Sequence, residues 1–157
     1  MRMVLVRHGH AGTKEGWKDD DRLRPLDARG RRQAARLPAV LVPLRPGALF
    51  SSPLVRCVQT LEPTAAATGL AVQEHDALVP DDVPGALDLV HALACTDPAG
   101  PPVLCTHGEV LGEVLASLAA EASVRLGRRA PGVKGCAWVV DFRKGRMASA
   151  RYVAPGR

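Results

Sequence analysis

Three short stretches of this chain carry groups that can do chemistry. Arg7-His8-Gly9-His10 sets a guanidinium, an imidazole, a glycine and a second imidazole in a row. Ser52 to Arg56 brings a hydroxyl and a second guanidinium, and Thr106-His107-Gly108 repeats the pairing of imidazole with glycine. An imidazole moves protons near neutral pH. An arginine presents a planar fork that matches phosphate or carboxylate. Brought to one place, these groups describe a site for a small anion.

The elements around them predict that meeting place. Met3 to Val6 is an unbroken apolar run, the pattern of a strand buried on both faces. It stops at Arg7-His8, so the strand delivers both to the edge of a sheet, where open α/β sheets bind ligands. Ala48 to Ser51 is a second strand, running into a helix that starts near Leu54 and stops at Gly69. Arg56 falls in the first turn of that helix, beside its free N–H groups. Val103 to Cys105 is a third apolar run that ends at Thr106-His107, and Val110 to Ala120 continues as a helix with Val110, Leu111, Val114, Leu115 and Leu118 inward.

Between these lie weaker elements. Residues 11–26 form a charged, glycine-containing loop in which Lys14, Lys18, Arg22 and Arg24 can reach an anion and Asp19, Asp20 and Asp21 form an acidic run. Asp27 caps a helix that Pro38 is expected to kink or interrupt. Leu70 to Glu74 is a short strand, His75 to Asp82 a loop, and Val83 to Ala94 a helix carrying His91 on its surface. Residues 97–102 form a rigid Pro/Gly turn and Arg125 to Gly135 a basic loop. Cys136 to Asp141 and Ala148 to Val153 read as a hairpin at or near a sheet edge. Strands alternating with helices predict a three-layer α/β/α fold with a mostly parallel sheet.

Composition narrows the function classes. A chain of 157 residues is read as one domain, 1–157. The formal charge is +5, and arginine far outnumbers lysine. Aromatics are 3%, too few for the stacking platforms that bind single-stranded nucleic acid, so a small phosphorylated substrate or a phosphorylated protein is expected and nucleic acid is not. Cys57, Cys95, Cys105 and Cys136 have no CxxC spacing, which argues against a zinc knuckle or redox dithiol. No signal peptide or membrane span is read from the sequence, and a cytoplasmic location follows as the expectation.

Arg7-His8-Gly9, then Ser51 to Arg56 with Gln59-Thr60, then Thr106-His107-Gly108, resemble in order and spacing the three motifs of the histidine phosphatase superfamily, the phosphoglycerate mutase-like enzymes. Within it the chain resembles small SixA-like phosphohistidine phosphatases and the phosphatase domain that some bacteria fuse behind a Nudix hydrolase, through Arg24-Pro25-Leu26-Asp27 and Arg29-Gly30. The resemblance implies a metal-independent phosphatase without a cofactor. His8 attacks phosphorus and becomes a phosphohistidine. Arg7, Arg56 and His107 surround the phosphoryl oxygens, with Gly9, Ser52 and Gly108 completing the pocket. The substrate it implies is a phosphohistidine-bearing protein, a nucleotide or a small phosphate ester.

The proton donor departs from the family's usual Glu or Asp context. Asp81, Asp82, His10 and the acids Asp19 to Asp21 are its candidates. Two other readings stand beside this one. His8, His10, His107 and nearby aspartates have the chemistry of a metal-hydrolase cluster, although Arg7 and Arg56 would repel the cation. A chain that kept the pocket without a good acid would be a non-catalytic binder of phosphorylated ligands.

Overall fold

The computed structural model of the chain describes residues 1–96, 99–127 and 130–155. Residues 97 and 98 of the expected Pro/Gly turn, and 128 and 129 of the basic loop, lie outside these. Six strands form one sheet: β1 (Arg2–Arg7), β2 (Ala48–Ser51), β3 (Val72–Glu74), β4 (Pro102–Thr106), β5 (Ala137–Arg143) and β6 (Arg146–Val153). Their order is β3-β2-β4-β1-β5-β6. The first four strands run parallel, while β5 pairs antiparallel with β1 and again with β6. The C-terminal hairpin therefore lies at the edge, with β6 outermost.

The alternation of β1 explains the three layers. Met3 and Leu5 point into one core, with Leu104, Trp138 and Val140 and the inner faces of α3 (Val83–Ala94) and α4 (Gly108–Ala122). Val4 and Val6 point into the other, with Leu49, Val103, Cys105 and Val139 and residues of α1 (Ala28–Leu41) and α2 (Val55–Thr68). A strand apolar at every position needs cover on both sides, and two helix pairs supply it.

Local signals act largely as expected. The Asp27 carboxylate accepts from Gly30 N at 2.9 Å and starts α1, while Gly69 at φ 75° ends α2. The expectation for Pro38 is corrected: α1 continues past it to Leu41. Proline removes the bond to the carbonyl of residue 34, but Ala34, Leu37 and Leu41 are buried on one stripe, and Val42 N still bonds the Pro38 carbonyl. Burial of that stripe outweighs one missing bond in the last turn. Among the described residues no helix is long and apolar enough to cross a membrane.

Candidate active site

The parallel strands β1, β2 and β4 end side by side, and their last residues build the site. In register Arg7 pairs with Thr106, and Ser51 with Cys105. His8 N then bonds Thr106 O at 3.1 Å, and Ser52 N bonds Cys105 O at 2.9 Å. These links place His8, Ser52 and His107 on one sheet edge. The rings of His8 and His107 lie 5.2 Å apart, centre to centre.

The tautomer of His8 is fixed by its own backbone neighbour. Nδ1 lies 2.7 Å from the Gly9 carbonyl. A carbonyl only accepts, so Nδ1 carries the proton and Nε2 keeps a free lone pair. Burial lowers the His8 pKa to about 3, against the opposing Gly9 bond and with help from the charges of Arg56, Lys134 and Arg7. The ring is thus neutral and poised as a nucleophile.

His107 occupies the position before the first turn of α4. Its Nε2 lies 3.0 Å from Ser52 Oγ and 3.5 Å from Cys57 Sγ. Burial again takes its pKa down to about 3, assisted by His8 and Arg56. Cys57 is fully buried against the sheet, as expected for packing.

The guanidiniums enter from two sides. Arg7 donates from Nη1 to the Gly132 carbonyl at 2.7 Å. Arg56, 4% exposed, donates to the Asp21 carbonyl at 2.8 Å and to its carboxylate at 3.1 Å. The Nε atoms of both arginines are buried without a hydrogen-bond partner. Unsatisfied donors of this kind are costly unless something anionic is meant to meet them. The helices α2 and α4 also begin here, and both lack a side-chain cap, whereas α1 and α3 carry aspartate caps. Their open N–H groups suit an anion.

Glycines make the room. A Cβ on Gly108 would stand 2.5 Å from Arg7 Cζ, so a larger residue at the start of α4 has to push the guanidinium aside. A Cβ on Gly9 would lie 3.0 Å from the Gly30 carbonyl. Gly9 therefore serves close approach to α1. Its N–H is held by Thr60 Oγ1 at 3.0 Å.

The donor candidates separate. Asp82 spends its carboxylate on Gly85 N at 2.9 Å as the cap of α3, and Asp81 is exposed. Among the described residues no hydrogen bond or ion pair joins either to Arg7, His8, Arg56 or His107. Asp19 and Asp20 are exposed. Asp21 instead lies between Arg56 and Arg24, whose Nε donates to it at 2.8 Å. Burial pushes the Asp21 carboxyl upward, but those two arginines hold it below its ordinary value. His10 donates from Nδ1 to the Asp27 carboxylate, which also accepts from Gly30 N and Gly12 N. Burial opposes that carboxylate, yet these bonds bring the Asp27 pKa down to about 2. The His10 backbone N–H is fixed by Gln33 Oε1 at 2.8 Å.

Sequence reasoning missed Lys134, half-buried in the loop before β5. Burial and the charges of Arg7 and Arg24 lower its pKa, and its own charge acts on His8. A basic loop was visible; which of its cations turns inward was not. Among the described residues no three His, Cys, Asp or Glu side chains form a metal-ligating group.

Known proteins resemble this chain in sequence and in fold. A sequence profile of the histidine phosphatase superfamily (branch 1) matches residues 3–79. An 8-oxo-(d)GTP phosphatase of Mycolicibacterium smegmatis is 35% identical across 98% of this chain. The chain spans 48% of that relative, about half its length. The structure of the protein histidine phosphatase SixA complexed with tungstate superposes with a TM-score of 0.78 at 22% identity, covering 99% of this chain and 97% of that one. A mycobacterial glucosyl-3-phosphoglycerate phosphatase complexed with VO3 superposes with a TM-score of 0.73 at 20% identity, covering 96% of each. At these identities the two structures establish the shared α/β fold.

Proposed function

This chain belongs to the histidine phosphatase superfamily, branch 1, and from that membership we propose that residues 1–157 form one phosphatase domain acting through a phosphohistidine at His8. The observation that carries the proposal is the His8 ring: neutral, tethered at Nδ1, with Nε2 free beside cations that have unpartnered donors. Neutrality matters because a protonated imidazole has no lone pair to give.

In the first step Nε2 of His8 forms a bond to phosphorus while the bond to the leaving group breaks. Arg7, Arg56, Lys134 and the N–H groups of α2 and α4 stabilise the charge spread over the phosphoryl oxygens. His107, held by Ser52, completes the cradle, and Gly9 and Gly108 keep it open. Of the donor candidates, His10 has the best support. It follows the nucleophile by two residues, and Asp27 holds its Nδ1–H, so the second proton of the imidazolium form, on Nε2, is the one that passes to the leaving atom. In the second step water attacks phosphorus, His10 takes the water's proton, and the bond to His8 breaks to release phosphate. The arginines supply the charge that a metal supplies elsewhere, so no metal or cofactor is required.

The substrate is a small phosphorylated molecule or a phosphohistidine-bearing protein. The similarity to an 8-oxo-(d)GTP phosphatase and to the SixA fold supports both. The four free thiols support a reducing compartment such as the cytoplasm.

The test is hydrolysis of an aryl phosphate by the wild type, by His8→Ala and by wild type in EDTA, with capture of an acid-labile phosphoenzyme. The expected result is EDTA-resistant turnover, abolished by His8→Ala, with label on His8. Turnover surviving in His8→Ala removes the covalent mechanism. Phosphate binding without turnover turns the reading to a phospho-ligand binder, and loss in EDTA turns it to a metal hydrolase.

A further inference from the structure

We propose that the cleft beside the phosphate pocket seats a planar heteroaromatic leaving group, which makes nucleoside phosphates the substrate class. This rests on the phosphatase reading above. The cleft has a volume of about 330 Å³, and Trp17, Pro25, Leu26, Arg24 and Asp27 are among the residues that line it. That volume is the lower end of the range for small-molecule sites, enough for one ring system with its sugar.

Three observations tie the cleft to the chemistry. Arg24, one of its lining residues, shares the Asp21 carboxylate with Arg56. Asp27, another, holds the imidazole of His10. A molecule phosphorylated at one end can therefore place its phosphoryl group on the arginines and its body in the cleft. Finally, the Trp17 indole is oriented, because its Nε1–H donates to the Asp20 carbonyl at 2.9 Å.

The hydrogen bond to Asp20 holds the Trp17 indole but leaves its ring only half-buried. Trp17 belongs to none of the hydrophobic cores, whereas the chain's other tryptophan, Trp138, is a buried core residue of β5. In a chain with 3% aromatics, a fixed and half-buried indole facing a cleft is a stacking surface. Pro25 and Leu26 in the same lining give the cleft an apolar surface that accepts a flat ring. Arg24 gives Nε to Asp21 and Nη1 to the Ala11 carbonyl, and Asp27 accepts from His10, Gly12 and Gly30, so both hold the cleft wall and the ring is bound by stacking. A small sugar phosphate has no flat apolar face to offer this cleft.

The experiment compares GMP with glycerol 2-phosphate on wild type, Trp17→Ala and Trp17→Phe. The readouts are the ratio of kcat/KM for the two substrates and quenching of tryptophan fluorescence. The expected result is quenching of wild type by GMP and not by glycerol 2-phosphate. The kcat/KM ratio should fall about ten-fold or more in Trp17→Ala. Trp17→Phe should restore most of it, because a phenyl ring still stacks. An unchanged ratio, or no GMP quenching in wild type, overturns the proposal. So does a phosphohistidine peptide cleaved in preference to GMP and indifferent to Trp17. Quenching by GMP without turnover of either ester leaves the cleft standing and removes the phosphatase reading instead.

Discussion

Acidification should destabilise this protein earlier than its carboxylates alone would. His8 and His107 are buried and neutral, with pKa values near 3 in the fold against an ordinary value of 6.5. Between those limits the unfolded chain binds protons that the folded chain does not. Stability is thus fully present above pH 6.5 and falls as pH drops toward 3. From pH 7 to pH 5 each imidazole contributes a loss of about 2 kcal/mol, so the pair costs roughly 4 kcal/mol. Asp21, Asp27 and Asp141 sit below the usual carboxylate value in the fold, so their losses begin only nearer pH 4. The pH 5–7 window therefore separates the two imidazoles from these carboxylates. Urea denaturation followed by circular dichroism measures the effect. With a slope of about 2 kcal/mol per molar urea, the midpoint should fall by about 2 M between pH 7 and pH 5. His107→Asn should show about half that pH dependence, whatever its absolute stability. A midpoint that moves less than about 0.5 M, or a variant with the full wild-type dependence, would refute the claim that both rings are neutral because they are buried.

Two other expectations follow from the site. Gly108→Ala should lower kcat/KM for an aryl phosphate by about ten-fold or more, because its methyl group must displace the Arg7 guanidinium; unchanged kinetics in a folded variant would show that Arg7 does not need its present position. Asp21→Asn frees two guanidiniums from an internal carboxylate, so inorganic phosphate should inhibit about three-fold to ten-fold more tightly; weaker inhibition would mean that Asp21 aims Arg56 rather than competing with phosphate for it.

Local sequence carried much of this structure. The apolar run of β1, the Gly69 stop and the Asp27 cap are short-range signals, and each names its element directly. The meeting of His8, Arg56 and His107 was legible because each follows a strand in a parallel sheet. What escaped was decided over long distances. Lys134 acts on His8 because a loop far along the chain folds back over β1. Asp21 lies in an acidic run whose other members face water, and only packing selects the one that meets Arg56. The glycines at 9 and 108 were visible as motif members, but their reason is a neighbour's carbonyl and a neighbour's guanidinium, which no local pattern announces. Pro38 was misread because propensity was weighed without the buried stripe that overrides it.

The wall of the pocket formed by residues 132–135 has a consequence for synthesis. The Gly132 carbonyl receives Arg7, and the Gly135 N–H reaches back to the carbonyls of Arg7 and His8. The first strand and His8 after it thus wait for partners translated more than a hundred residues later. A ribosome still elongating this chain displays Arg7 and His8 without the enclosure that buries the imidazole, which is complete only once residues 132–135 have been made.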